Sequence, residues 1–383
     1  MSALLLMFDD GPPFPRSLFS AGEQGIWLFP SDFSTLFQDS AGTTPVTAVG
    51  QPVGLALDKR LGLALGAEKS AYSGGFSSTA GISSIGVTST IDGTELVVAS
   101  TSTDGSDRAE IPVSGLTVGA TYRATIIARR GAQGTNQFVQ QWTVGTIPST
   151  AVTSTSSSTI SFLFVATTSS GVARVYSQAT GGAIGDNLIV SSLSIREIAG
   201  NHAYQTTLAA RQTAQSNYLS LDKTDDHLLV AAGGAGTTGF LLVAGIMVPA
   251  AGTARTLWSD RGTNAGYKVG IDAGNQIVFS AGNGAGFVSA TGPALVAGTK
   301  YVITAWHDGA NLNISVNNGT PTQAAFVTAT AGTATFTIGK SNGAATEYWG
   351  DRIYGMVYRK NDTSNAGQRS SLYSYTVGKM GGL

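Results

Sequence analysis

Thr121-Tyr-Arg-Ala-Thr-Ile-Ile-Ala-Arg129 decides the fold class. Tyr122, Ala124, Ile126 and Ala128 alternate with Thr121, Arg123, Thr125 and Ile127, and a period of two belongs to a strand with one face in a core. Outward from this stretch the same grammar repeats. Glu95 to Ala99, Phe138 to Val144, Thr159 to Val165, Ala173 to Tyr176 and Leu188 to Ile195 read as strands between Gly, Ser and Asp turns. Further on, Tyr218 to Leu221, Phe240 to Val248, Thr256 to Ser259, Tyr267 to Ile271, Gln276 to Ser280, Lys300 to His307, Leu312 to Val316, Thr335 to Ile338 and Arg352 to Tyr358 continue the pattern. The Ser/Thr tract Ser149 to Thr159 reads as a loop. Many short strands at such spacing predict an all-β chain of two β-sandwich or jelly-roll domains. Only the C-terminus predicts a helix: Asn365 caps it, Gln368 completes a capping box, Ala366, Ser370, Tyr373 and Val377 share one face, and Gly378 stops it.

Composition narrows the function. Fifty of the 383 residues are glycine, close to twice the usual share, and the charged fraction of 12% is about half the globular norm. A net charge of −1 leaves no electrostatic footprint for nucleic acid or an anionic membrane. Without cysteine there is no disulfide, thiolate metal site or Cys nucleophile. His202, His227 and His307 stand far apart and form no metal-spaced pair. The apolar run at the N-terminus lacks a basic flank and ends at Asp9-Asp10, so no signal peptide is expected. Phe240 to Ala251 is too short to span a bilayer, so no membrane insertion is expected. Residues 1–22, with Pro12, Pro13 and Pro15, read as an extended arm whose Phe8, Phe14, Leu18 and Phe19 could lie on a neighbouring surface; the alternative is a floppy tail.

Several stretches resemble known families. Residues 217–383 resemble the concanavalin A-like, laminin-G-like jelly roll: Asn217-Tyr-Leu-Ser-Leu-Asp-Lys-Thr-Asp-Asp-His-Leu228 is similar to its opening strand, Lys300 to Gly309 with Leu312 to Gly319 to its paired middle strands, and Trp349-Gly-Asp-Arg-Ile-Tyr-Gly-Met-Val-Tyr358 to its closing strand. Residues 70–198 resemble the jelly rolls of carbohydrate-binding modules, through Val113-Ser-Gly-Leu-Thr-Val-Gly-Ala-Thr-Tyr122 and the closing strand Asn187 to Glu197. In that family the closing strand often carries an Asp linked to a structural calcium, and Ser191 stands about there. Residues 23–66, with Gly25-Ile-Trp-Leu-Phe-Pro-Ser-Asp-Phe-Ser-Thr-Leu-Phe-Gln-Asp39 at their heart and continuing to Gly54, resemble the front of many tailed-phage and prophage structural proteins. Those relatives continue "Asp-Lys-Ser-Gly-x-Gly-Asn-His-Ala" straight into the laminin-G-like part. Here Asp58-Lys59 comes early and Gly200-Asn-His-Ala203 far later. The resemblance therefore implies that residues 67–199 are inserted into a discontinuous domain made of residues 23–66 plus 200–383.

Glucanases of the concanavalin A-like fold use clustered carboxylates, and none of the six glutamates here, Glu23, Glu68, Glu95, Glu110, Glu197 and Glu347, has an acidic residue two positions away. No catalytic residue is assigned, and no enzyme is expected. Asp222, Asp225 and Asp226 are the candidate metal ligands, bunched on one turn. The bland alternative is a turn whose carboxylates bond their own backbone. No cofactor is expected, with calcium at that cluster the alternative. Trp142, Tyr176 and Trp306 are the candidate glycan-binding aromatics, weighed against aromatic core positions.

The function these readings imply is a non-enzymatic bacteriophage virion protein, a tail fibre or host-binding appendage, located in the particle and made in the host cytoplasm. The alternatives are a head-decoration protein and a polysaccharide-binding or depolymerising tail protein. Expected partners are further copies of itself (a trimer for a fibre), other virion proteins through the N-terminal arm, and a host-surface glycan.

Overall fold

A computed structural model of the chain describes residues 14–19, 23–103, 105–131, 137–177, 182–231, 235–333, 335–343, 346–361 and 364–383. Most of the expected arm, residues 1–13 and 20–22 with Phe8 among them, lies outside the described residues. Among the described residues the chain is all-β with one α-helix, at the C-terminal end, and it divides into two compact units. The first takes in the described residues up to Gln38, Val46–Leu63 and Gly200–Leu383; the second takes in Asp39–Pro45 and Ala64–Ala199.

Two antiparallel sheets form the first unit. One runs in the order Thr213–Ala214, Leu219–Ser220, Arg352–Lys360, Phe240–Met247, Lys300–His307, Asn311–Val316 and Thr322–Ala325, with Gly25–Leu28 also paired to Arg352–Lys360. The other runs Leu36–Phe37, Leu55–Ala56, Ala203–Tyr204, Leu228–Val230, Phe336–Ile338, Arg255–Ser259, Tyr267–Ile271, Gln276–Gly282 and Phe287–Ala294. The front segment thus supplies strands to both sheets, and Ile26, Leu28, Leu36 and Ala56 join the shared core. Phe240 marks its centre, with ring centroids 5.0 Å from Trp258 and 5.1 Å from Tyr267 on the opposite sheet.

The strand Phe240–Met247 is apolar on both faces because both are covered. Leu242 and Ala244 face the inter-sheet core. Leu241 and Val243 pack in a second cluster with Leu372 and Met380 of the helix Ala366–Met380. Gly245 permits the approach, since a Cβ there would lie 2.6 Å from Met380 Sδ. The helix carries the expected capping box at Asn365 and Gln368. Its stop differs from expectation. Gly378 lies inside the helix and Gly381, at φ 73°, ends it in the left-handed conformation that glycine adopts without strain. Its buried stripe is Leu372, Thr376 and Met380, with Tyr373 and Val377 at the margin and Ala366 exposed. Leu18 and Phe19 are buried in the same cluster and Phe14 packs against it. The described part of the arm therefore spends its apolar side chains on its own unit.

Asp58 ties the first unit's segments together. Its carboxylate is fully buried and accepts from the backbone N–H of Trp27 at 2.9 Å, Arg60 at 3.0 Å and Asn201 at 2.8 Å, and from Arg60 Nε at 2.8 Å. Its own N–H donates to His202 Nδ1 at 2.9 Å, across 144 positions. Asn201 Nδ2 donates to Gly25 O at 2.7 Å. The two stretches Asp58-Lys59 and Gly200-Asn-His-Ala203, far apart in sequence, are neighbours in space.

The second unit is also a sandwich. Thr150–Val152, Gln137–Val139, Ser170–Tyr176, Arg108–Ser114 and Ser83–Ile85 form one sheet in that order. Ser158–Val165, Thr121–Arg130, Asn187–Ile198, Glu95–Ser100 and Val87–Asp92 form the other, with Leu65–Glu68 added to Asn187–Ile198. Along Thr121–Arg130 the alternation holds from Tyr122 on: Tyr122, Ala124, Ile126 and Ala128 are buried in the core while Arg123, Thr125 and Ile127 are partly exposed, and Thr121, expected on the outer face, is buried at the strand's start. The Ser149 to Thr159 tract holds a strand, Thr150–Val152, and the start of another at Ser158: Thr150, Ala151 and Val152 pair with Gln137–Val139, and Ser158 pairs with Ala128.

Among the described residues, no helix is long and apolar enough to cross a membrane.

Candidate functional site

The strand expected over Phe138 to Val144 stops at Val139. Gln141 takes φ +55°, a conformation disfavoured for residues with a Cβ, and the chain leaves the sheet as the loop Gln140–Ser149 before Thr150–Val152 pairs back. The loop is pinned from below. The Trp142 ring packs edge-on at 5.2 Å from Phe162 and 5.8 Å from Phe164, and its Nε1 donates to Arg174 O at 3.3 Å. Thr143 Oγ1 accepts from Val172 N at 2.8 Å, and Thr167 N donates to Val144 O at 2.9 Å. A Cβ at Gly145 would lie 2.6 Å from Val165 O, so only glycine lets the loop lie this close to that strand.

Above these anchors the loop encloses a cleft of about 540 Å³. Gln140 and Gln141 sit on its rim, each with the amide oxygen engaged. Ser149 Oγ donates to Gln140 Oε1 at 2.8 Å and Tyr176 OH donates to Gln141 Oε1 at 2.9 Å. Among the described residues neither Gln Nε2 has a hydrogen-bond partner. The described lining residues carry no charge.

The structure places the three candidate aromatics apart. Trp142 and Tyr176 are neighbours of one loop, but both rings are buried, at 6% and 3% exposure, and the Arg108 guanidinium lies 5.8 Å from the Tyr176 ring. Trp142 lines the cleft and Tyr176 braces Gln141 on its rim, and neither offers an open stacking face. Trp306 belongs to the first unit, is partly exposed, and has Arg369 over its ring at 4.5 Å. The polar cleft residues were not among the candidates, because a left-handed glutamine leaves no trace in the sequence.

The three aspartates do come together: the carboxylates of Asp222, Asp225 and Asp226 lie within 4.8 Å of one another. Two of them bond their own turn, Asp222 Oδ1 accepting from Thr224 N at 2.8 Å and Asp226 Oδ2 from Asp222 N at 2.9 Å. Burial pushes Asp226 up to about 6, and the two neighbouring carboxylates add to it. The calcium position implied by the carbohydrate-module resemblance does not fit a cation. Ser191 Oγ donates to Glu95 Oε1 at 2.6 Å, and the other oxygen of Glu95 takes Arg129 Nη2 at 2.6 Å. A guanidinium already supplies the positive charge there.

Each glutamate is tied into its own unit. Glu23 pairs with Arg359, Glu68 accepts from Ser194, Glu110 from Arg108 and Arg174, Glu197 from Tyr122 OH, and Glu347 from Thr256 and Lys268. Glu95 is held below the usual carboxylate range by the Ser191 hydroxyl and then by Arg129. At Glu68, Glu110 and Glu347 burial pushes upward, but hydrogen bonds, led by Ser194, Arg108 and Thr256, outweigh it and hold these groups low too. His307 is buried between Tyr267 OH at 2.8 Å from Nδ1 and Phe326 O at 3.1 Å from Nε2. The carbonyl requires the Nε2–H tautomer, and burial lowers the ring's pKa.

No family model matches the chain and no curated protein matches it. Among solved structures it is similar to a heptameric SAP-like pentraxin from Limulus polyphemus, at 13% identity and TM-score 0.32, over 38% of this chain and 75% of that one. It is also similar to the binding domain of Botulinum neurotoxin DC in complex with rat synaptotagmin II, at 15% identity and TM-score 0.31, over 39% of this chain and 40% of that one. A third is the receptor-binding domain of botulinum neurotoxin mosaic serotype C/D, at 10% identity and TM-score 0.33, over 42% and 43%. The sandwich assignment stands on the sheet pairings and cores described above.

Proposed function

We propose that the chain is a non-enzymatic structural component of a bacteriophage particle, a tail fibre or host-binding appendage in which the second unit presents a recognition loop. The observation that carries the binding half of this reading is the cleft: a loop fixed from beneath by Trp142, Thr143 and Gly145, with an uncharged polar rim left to the solvent. The particle half rests on the resemblance of residues 23–66 to the front of phage structural proteins. The same reading takes the second unit as a guest inserted into the first. It also expects several symmetry-related copies in the particle, a trimer in a fibre.

Competition for adsorption tests it. Purified chain added to host cells ahead of phage should slow phage adsorption in a saturable way. Adsorption unchanged at saturating protein overturns the host-binding role.

A further inference from the structure

The chemistry of the Gln140–Ser149 cleft selects among ligands. An anionic ligand would give up its hydration there with no cation in return, because the lining carries no charge, and an unpaired charge is costly to desolvate. An apolar ligand would cover the two free amide NH₂ groups and leave donors unsatisfied. A neutral polyhydroxylated molecule meets both demands, offering acceptors to the amides and donors to the threonine and serine hydroxyls. At about 540 Å³ the cleft lies within the roughly 300–1,000 Å³ of small-molecule sites.

The amides are also set in place before any ligand arrives. Gln141 holds a left-handed φ of +55°, a conformation disfavoured at a residue with a Cβ and one that tends to cluster at functional sites. The buried Tyr176 hydroxyl takes its Oε1, and Ser149 takes that of Gln140, so in both cases Nε2 is the end left for a ligand. Little side-chain entropy remains to be lost on binding.

We propose that this cleft is a binding site for a neutral carbohydrate, with Gln140 and Gln141 Nε2 donating to sugar oxygens and the hydroxyls of Thr143, Thr146 and Ser149 bonding sugar hydroxyls. Trp142 is a positioning residue beneath the loop. The proposal rests on the host-binding reading and gives it a ligand class.

Nitrogen-15 NMR of the full chain tests it, with glucose, galactose and N-acetylglucosamine as neutral probes and glucuronate and inorganic phosphate as charged ones. The side-chain NH₂ signals of Gln140 and Gln141 and the Trp142 indole N–H should shift saturably with at least one neutral sugar at millimolar concentration. Gln141→Gly keeps the fold, since glycine takes this φ without strain, and should weaken binding about tenfold, as should Thr146→Val to a smaller degree. Unmoved signals with all three sugars, equal binding by Gln141→Gly, or a stronger response to glucuronate or phosphate overturns the site. The adsorption assay separates this from the broader reading. If Gln141→Gly competes for host cells as well as the unaltered chain, the site falls and the host-binding reading stands. A sugar-responsive cleft in a chain that never competes leaves the site and removes the host-binding role.

Discussion

Replacing Asp58 with alanine should cut the first unit's stability while sparing the second. The carboxylate is fully buried and satisfies three backbone N–H groups, from Trp27, Arg60 and Asn201, together with Arg60 Nε. The Arg60 side chain is itself only 7% exposed. Truncation leaves a buried guanidinium without its counter-charge, and breaking such a pair costs about 3–5 kcal/mol. That is a large share of the roughly 5–15 kcal/mol that holds a domain together. Asparagine rescues little, because its NH₂ would meet donors where the second oxygen now accepts. Urea unfolding followed by tryptophan fluorescence reports the units separately: Trp27, Trp258, Trp306 and Trp349 lie in the first and Trp142 in the second. With a urea slope of about 1–3 kcal/mol/M, the first unit's midpoint should fall by roughly 1–2 M or more at an unchanged slope. A loss under about 1 kcal/mol, or an equal loss in both units, refutes the assignment of Asp58 as the tie between the front segment and Asn201-His202.

Burial raises Asp260 to about 6 against about 3.9 unfolded, so its contribution is full below about pH 4 and is lost as pH rises through about 6, up to roughly 2–3 kcal/mol. Asp260→Asn should reduce the first unit's loss of stability between those limits without abolishing it, because Asp226, also raised to about 6, titrates in the same window; an unaltered pH profile contradicts this. Chelation by EGTA should leave the melting temperature unchanged, since the Asp222 and Asp226 carboxylates serve their own turn and Arg129 neutralises Glu95. A drop reversed by calcium contradicts it, because a ligand held at 100 times its dissociation constant adds about 2.7 kcal/mol. A chain joining Leu63 directly to Gly200 should fold cooperatively, while residues 200–383 alone should aggregate for want of Ile26, Leu28 and Leu36. Equal behaviour of the two chains refutes the inserted-guest reading. Light scattering of the purified protein should give a multiple of 39.1 kDa, and a monomer at every concentration opposes self-association outside the particle.

The fold class was legible where one face of a strand is wet. Thr121 to Arg129 alternates because its sheet has one core face, so the period of two survives in the sequence. Phe240 to Met247 shows no alternation because the helix covers its second face, and its strand character had to come from length and flanking turns. Small polar strands such as Ser83–Ile85 and Thr150–Val152 carry too little apolar signal to be separated from loops. The helix start was legible because a capping box is local chemistry, but its end was not. Gly378 and Gly381 are both plausible stops, and tertiary packing of Met380 against Gly245 decides between them. The candidate site was legible only in part. Trp142 drew attention as an aromatic in a polar stretch, yet its ring is an anchor. The groups facing solvent are glutamines whose placement depends on one left-handed backbone angle and on a hydroxyl from Tyr176, thirty-five positions away.

The central claim, that this is a particle protein, is tested most directly by the protein content of purified virions from the phage or induced prophage that encodes it. The account predicts a stoichiometric 39.1 kDa species, identified by peptides from both units, that stays with infectious particles through density-gradient purification. Particles that carry full infectivity without this chain would contradict it.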